Sequence, residues 1–143
     1  IESTIVSVRE QGVAILRHGP ITQEQFEEIV PVISEPRDIA TPGSMKSHYA
    51  PRTPLDILQP GTSVEVPDIS RVGLLAFAER KGEFGHVEVL SGSRDLREAA
   101  ANLYGAMRRL DEAGLDRIFA ERVPETGLGV AIMERLGKAA ARD

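Results

Sequence analysis

The sequence contains no cysteine and only three histidines among its 143 residues. Disulfides, thiolate zinc sites and a cysteine nucleophile are therefore excluded. Histidines at positions 18, 48 and 86 are too scattered to suggest a metal site by spacing. No apolar run approaches the roughly 20 residues of a membrane span, and no signal-peptide pattern opens the chain. A cytoplasmic location with no membrane contact is the expectation. There is no excess of positive charge either. The formal net charge of −5 argues against a general nucleic-acid or membrane surface, because phosphates demand clustered Lys and Arg. Repeats and low-complexity tracts are absent.

What is present is globular: 41% hydrophobic and 27% charged residues. The length suits one domain, or a small domain plus a piece of another. "IESTIVSVRE" begins at once in an apolar strand pattern, and "GVAILR" follows across "REQG". Two such runs read as a β-hairpin, which is marginal alone in water. The chain thus reads as cut from something larger. With its strand edges unpaired, the hairpin is expected to be disordered or to pair with a second copy in a homodimer. A short helix comes next, with Thr22 as N-cap, Gln25 as capping-box partner and Ile21 stapled against Phe26. Phe26, Ile29 and Val30 form its apolar face, and Pro31 ends it. "SEPRDIATPG" has linker composition, which places a boundary between residues 31 and 53.

From Pro54 onward strands and helices alternate. "LDIL" is a short strand, and the nearly continuous apolar "RVGLLAFA" is a strand covered on both faces. "GHVEVL" alternates, with His86, Glu88 and Leu90 on one face. The longest helix runs from about Asp95 to Glu112, with Leu96, Ala100, Leu103, Met107 and Leu110 as its stripe. "LDRIFAERV" gives another strand, and "GLGVAIMERLGKAA" a last helix with Leu128, Ile132 and Leu136 inward. The residues from Gln59 to Ser70 make an irregular first crossover. The expected class is α/β: a small three-layer Rossmann-like domain with a mostly parallel sheet, preceded by the hairpin and short helix.

Few residues of residues 54–143 announce chemistry. "SGSRD" lies at a strand end before a helix, so Ser91, Ser93 and Arg94 form a candidate anion site, set against plain helix capping by Ser93. "GLG" at 127–129 is too short for a dinucleotide fingerprint. Arg97, Arg108 and Arg109 read as a solvated helix face. No Ser-His-Asp set or carboxylate pair can be argued from spacing, and no catalytic residue is assigned.

Residues 1–51 carry more. "ESTIV", "ILRHG" and "SHYAP", followed at the other end by "GLGVAIMERLGKAA", together resemble the two-domain threonylcarbamoyl-AMP synthase family, in the family's order. The resemblance implies that residues 1–30 are the end of a YrdC-like catalytic domain, 31–53 the interdomain linker and 54–143 a Rossmann-like accessory domain. It implies a nucleotidyltransferase whose substrates are L-threonine, bicarbonate and ATP, with Mg2+, and whose product serves threonylcarbamoyladenosine modification of tRNA. None of these is expected to bind the fragment tightly, and the fragment itself is expected to be inactive. Its partners would be the catalytic domain of the same parent chain and, indirectly, the threonylcarbamoyl-transfer machinery and tRNA.

By the resemblance Ser3 contacts threonine, Arg17 contacts ATP, and Tyr49 reaches back over the nucleotide. His48 and Ser47 are weaker members of the same lid. A linker rich in donors makes sense if it closes over a reactive adenylate and excludes water. Pro42 and Pro51 limit its freedom, while Gly43 permits a turn. The chain departs from the family pattern at Ser7, His18 and Lys46. The competing reading is a non-catalytic α/β module that binds a ligand or partner, with its own anion pocket near Ser91–Arg94.

Overall fold

The computed structural model describes residues 1–34 and 50–141. Strands β1 (Ile5–Arg9) and β2 (Gly12–Arg17) pair antiparallel across a two-residue turn at Glu10 and Gln11, with Val8 opposite Val13. Gly12 has φ +149°, and a Cβ there would stand 2.2 Å from the Pro31 carbonyl oxygen. Only glycine fits that approach. The chain returns beside β2 after α1 (Gln23–Glu27): the Val13 N–H donates to the Pro31 carbonyl at 2.9 Å, and the Ile33 N–H to the Val13 carbonyl at 2.8 Å. The capping box is formed, with the Thr22 N–H on Gln25 Oε1 at 2.8 Å and the Gln25 N–H on Thr22 Oγ1 at 3.4 Å.

The apolar face read for this helix is only partly realised. Ile29 is 82% exposed. The helix stops at Glu27, and both Ile29 and Val30 donate back to the Phe26 carbonyl in a tight turn, so Ile29 no longer lies on a helical stripe.

The second unit is a four-stranded parallel sheet. Its strands are β3 (Leu55–Ile57), β4 (Val72–Ala76), β5 (His86–Val89) and β6 (Arg117–Ala120), in the order β3-β6-β4-β5. Every residue of β4 is buried, because it lies between β6 and β5 with both faces covered. Helices α2 (Leu96–Asp111) and α3 (Leu128–Ala140) pack on one face, where Leu55, Leu75, Leu103, Leu110, Ile118, Ile132 and Leu136 close the main core. The opposite face gathers Leu74, Ala76 and Val87 with Leu58, Phe84 and Phe119.

No helix residue joins that second cluster among the described residues. Only two stretches after Pro54 are long and periodic enough to form helices, and both go to the first face. The expected third layer is therefore loop: the irregular crossover between β3 and β4, foreseen as such, and the β4–β5 connection. Among the described residues no helix is long and apolar enough to cross a membrane.

The residues just ahead of β3 are pinned to α2. Asp111 accepts the Thr53 N–H at 2.8 Å, the Thr53 hydroxyl at 2.9 Å and the Arg52 N–H at 3.2 Å. Burial pushes the Asp111 carboxyl up, but these donors outweigh it and hold it below its ordinary value. Asp111→Ala should cost about 2 kcal/mol in urea denaturation, since it strands a buried N–H and removes charge-assisted bonds. A depressed carboxyl contributes stability that is present above its ordinary value of 3.8 and lost as pH falls through the lower folded value. The stability-against-pH curve of Asp111→Ala should accordingly be flatter than the wild type's as pH falls from 3.8 to the lower folded value.

Candidate functional site

Helix α3 and the N-terminal segment meet through a cluster of charged groups. Gly129 lets the start of α3 close against the preceding strand exit: a Cβ there would stand 1.6 Å from the Pro124 carbonyl oxygen. Gly127, just ahead of the helix, has no side chain to cap it, and its N–H donates instead to Glu24 Oε1 of α1 at 3.2 Å. Two turns into α3, Glu134 turns to the end of β2. It accepts the His18 N–H at 3.3 Å and lies 2.9 Å from His18 Nδ1. Burial pushes the Glu134 carboxyl up, yet the His18 contacts outweigh it and hold the group below the usual carboxylate range.

Arg135 is the most unusual residue of the fold. Its side chain is 1% exposed, on a helix face otherwise filled by Ile132, Leu136 and Ala139. A buried guanidinium is tolerated only when paired. Nη1 donates to Glu134 Oε1 at 3.1 Å, Nη2 to the Glu2 carbonyl at 3.5 Å, and Nε stands 3.8 Å from Glu2 Oε1. The Tyr104 hydroxyl of α2 donates to the same Glu2 oxygen at 2.6 Å. Burial and that bond push the Tyr104 phenol up to about 12. Burial also depresses Lys138, one turn beyond Glu134, against the pull of the nearby carboxylates.

Two residues singled out in the sequence are brought together here. Arg17, 9% exposed at the end of β2, donates from Nε to the Ser3 carbonyl at 2.9 Å and from Nη2 to Ser3 Oγ at 3.3 Å. Thr4, on the other face of the strand, donates its hydroxyl to the Ile21 carbonyl at 2.7 Å. The residues flanking the hairpin reach α2 and α3 through Glu2 and His18, and Ile1 packs against the main core. Ser47, His48 and Tyr49 lie outside the described residues, as do Pro42, Gly43 and Lys46.

Ser91, Ser93 and Arg94 occupy a turn before α2. Ser91 is fully buried; its Oγ accepts the Asp95 N–H at 2.9 Å and meets Ser93 Oγ at 3.2 Å. The helix cap is Asp95, which accepts the Arg97 N–H, rather than Ser93. Arg94, with φ +61°, sends its guanidinium to Glu79 at 3.1 Å and over the Phe77 ring at 6.0 Å. The three side chains thus serve the turn and a surface ion pair. A cavity of about 610 Å3 opens elsewhere, at the carboxyl ends of β3 and β6 over Leu74, with Phe84 in its wall and Lys81, Glu121 and Arg122 at its edge. Glu121 holds Lys81 at 3.0 Å and accepts the Phe77 N–H at 3.1 Å.

Glu2, Tyr104, Glu134 and Arg135 were not singled out in the sequence. One signal was available: an arginine at 135 falls on the stripe set by Leu128, Ile132 and Leu136, where an apolar residue was due. Among the described residues no group of three or more His, Asp or Glu side chains could hold a metal ion.

Comparison with known proteins agrees with this architecture. The threonylcarbamoyl-AMP synthase of Bacillus subtilis is 36% identical over 98% of this chain and 45% of its own length. That of Pyrococcus abyssi is 30% identical over 97% of this chain and 45% of its own length. The chain therefore spans less than half the length of the curated relatives it matches. The crystal structure of P. abyssi Sua5 complexed with L-threonine superposes with a TM-score of 0.75 at 29% identity, over 97% of this chain and 45% of that one. A P. abyssi Sua5 with adjacent histidine and tyrosine replaced by alanine gives 0.72 at 26% identity, over 98% and 45%. The family described as threonylcarbamoyl-AMP synthase, C-terminal domain, matches residues 21–141, and the chain belongs to it.

Proposed function

We propose that this chain is the C-terminal part of a cytoplasmic L-threonylcarbamoyladenylate synthase, which joins L-threonine, bicarbonate and ATP into threonylcarbamoyl-AMP with release of pyrophosphate. The product would serve threonylcarbamoyladenosine modification of tRNA, reached through the transfer machinery rather than by this chain, whose net charge of −5 suits no broad RNA surface. Residues 1–30 would complete the catalytic domain, 31–53 would be the lid-forming linker, and 54–143 the accessory domain that supports both. The observation that carries this reading is the meeting of Ser3 and Arg17 at one end of the hairpin. A hydroxyl can accept from the ammonium or donate to the carboxylate of threonine. An always-charged planar fork beside it suits phosphate oxygens. Adjacent, the two groups would hold the amino acid and the nucleotide in reach of each other, which is most of what joining them requires.

The lid rests on composition and on a relative. "SHYAP" places His48 next to Tyr49, and an adjacent His–Tyr pair is what was changed in one P. abyssi Sua5 structure. Mg2+ would enter on the ATP phosphates, since the described residues hold no group of carboxylates and imidazoles that could bind a metal ion. A second reading, an accessory domain with a ligand of its own, is favoured by the cavity over Leu74 and not by the Ser91–Arg94 turn. Its apolar floor and mixed-charge rim suit a small zwitterion with an apolar body.

The chain alone is expected to be inactive, and threonine- and bicarbonate-dependent pyrophosphate release from it would refute that. In the full-length parent, Arg17→Ala should weaken ATP more than threonine, and Ser3→Ala the reverse, in steady-state kinetics. Tyr49→Ala should cost about ten- to a hundredfold in ATP affinity or turnover, more than Tyr49→Phe, because ring packing and hydroxyl contact are both lost. Unchanged kinetics in Tyr49→Ala would reduce the linker to a tether.

A further inference from the structure

The residues next in sequence to Ser3 and Arg17 are the ones that the accessory domain grips. Glu2 precedes Ser3; its carboxylate takes the Tyr104 hydroxyl at 2.6 Å, and its carbonyl takes Arg135 Nη2 at 3.5 Å. His18 follows Arg17; its N–H and Nδ1 meet the two oxygens of Glu134 at 3.3 and 2.9 Å. Glu134 and Arg135 are neighbours on α3, joined at 3.1 Å, and Arg17 closes the circuit onto Ser3 at 2.9 and 3.3 Å. A ring of contacts therefore runs Ser3, Glu2, Arg135, Glu134, His18, Arg17 and back to Ser3, with Tyr104 bracing Glu2 from α2.

Docking alone does not call for such a ring. A buried ion cluster is a costly way to join two units, and apolar residues of similar volume commonly do so more favourably. Directional bonds supply what apolar packing does not, a fixed register of one backbone against another. The register fixed here is that of two backbone positions, each one residue from a group expected to touch substrate. A displacement of about 1 Å at such a position can cost about a hundredfold in rate.

We propose that Tyr104, Glu134 and Arg135 of the accessory domain are positioning residues for the reaction, Tyr104 and Arg135 setting Ser3 through Glu2, and Glu134 setting Arg17 through His18. The proposal rests on the reading of Ser3 as a threonine contact and Arg17 as an ATP contact. It gives the accessory domain a direct part in substrate binding without contact to either substrate.

The test uses the full-length enzyme and two minimal changes. Tyr104→Phe deletes one oxygen and keeps the ring; Glu134→Gln keeps shape and removes charge. Tyr104→Phe should raise the threonine KM about three- to tenfold and leave the ATP KM within about twofold, and Glu134→Gln should do the reverse. Arg135→Lys, which keeps charge but not the fork, should fall between wild type and Arg135→Met on the threonine KM. A loss of activity that merely follows the melting temperature, with both KM values unmoved or moved together, overturns the proposal. Ser3→Ala and Arg17→Ala in the same assay separate the two readings. If these controls shift their own KM while Tyr104→Phe and Glu134→Gln shift none, the positioning role falls and the functional reading stands. If the controls shift nothing, the functional reading falls and takes the positioning role with it.

Discussion

A guanidinium with 1% of its side chain exposed governs how this molecule is put together. Arg135 sits on the inward stripe of α3, where its charge must find acceptors or destabilise the core around it. Its own helix supplies one, Glu134. The others come from Glu2, at the far end of the sequence. The N-terminal segment thus supplies part of the surroundings of this buried residue on α3. Two units that could have been joined by a linker alone are joined by a requirement of charge.

The hairpin is held from several directions as a consequence. Ile1 enters the main core, Glu24 receives the exposed N–H at the start of α3, and His18 rests on Glu134. Val8 of β1 and Ile29 beyond α1 differ in character, being 77% and 82% exposed.

Much of this was legible in the sequence, and the limits follow from range. The unbroken apolar run of β4, the stripe of α2 through Leu103 and Leu110, and the Thr22–Gln25 capping box are set by neighbours within a few residues, and the structure shows each. His86 and Glu88, two apart on β5, indeed share a face, with Glu88 held also by Arg109 of α2 at 2.8 Å. At Arg135 the limit is a partner far apart in the sequence. Nothing near position 135 announces that its acceptor is residue 2, so an arginine on an apolar stripe reads as an irregularity. Ser91 and Arg94 carry the residue types of an anion site, yet their donors and acceptors are taken by Asp95, Ser93 and Glu79. A parallel sheet needs cover on both faces, and on the second face Leu58 and Phe84 of the connecting loops pack where a helix was expected.

Helix α2 ties the two halves of the proposed site to one another. Tyr104 holds Glu2, beside the expected threonine contact, while Asp111 holds Thr53 and Arg52, where the linker rejoins the domain. Seven residues separate the two anchors, about two turns, so they lie on nearly the same face at a rise of about 10 Å. The helix between them is packed into the core by Met107, Ala106 and Leu110 and cannot stretch. The spacing between Glu2 and Thr53 is therefore set by a rigid element. In the proposed reading, the helix that braces Glu2 is also the one that anchors Arg52 and Thr53, so residues 54–141 would be a frame for the reaction rather than an appendage to it.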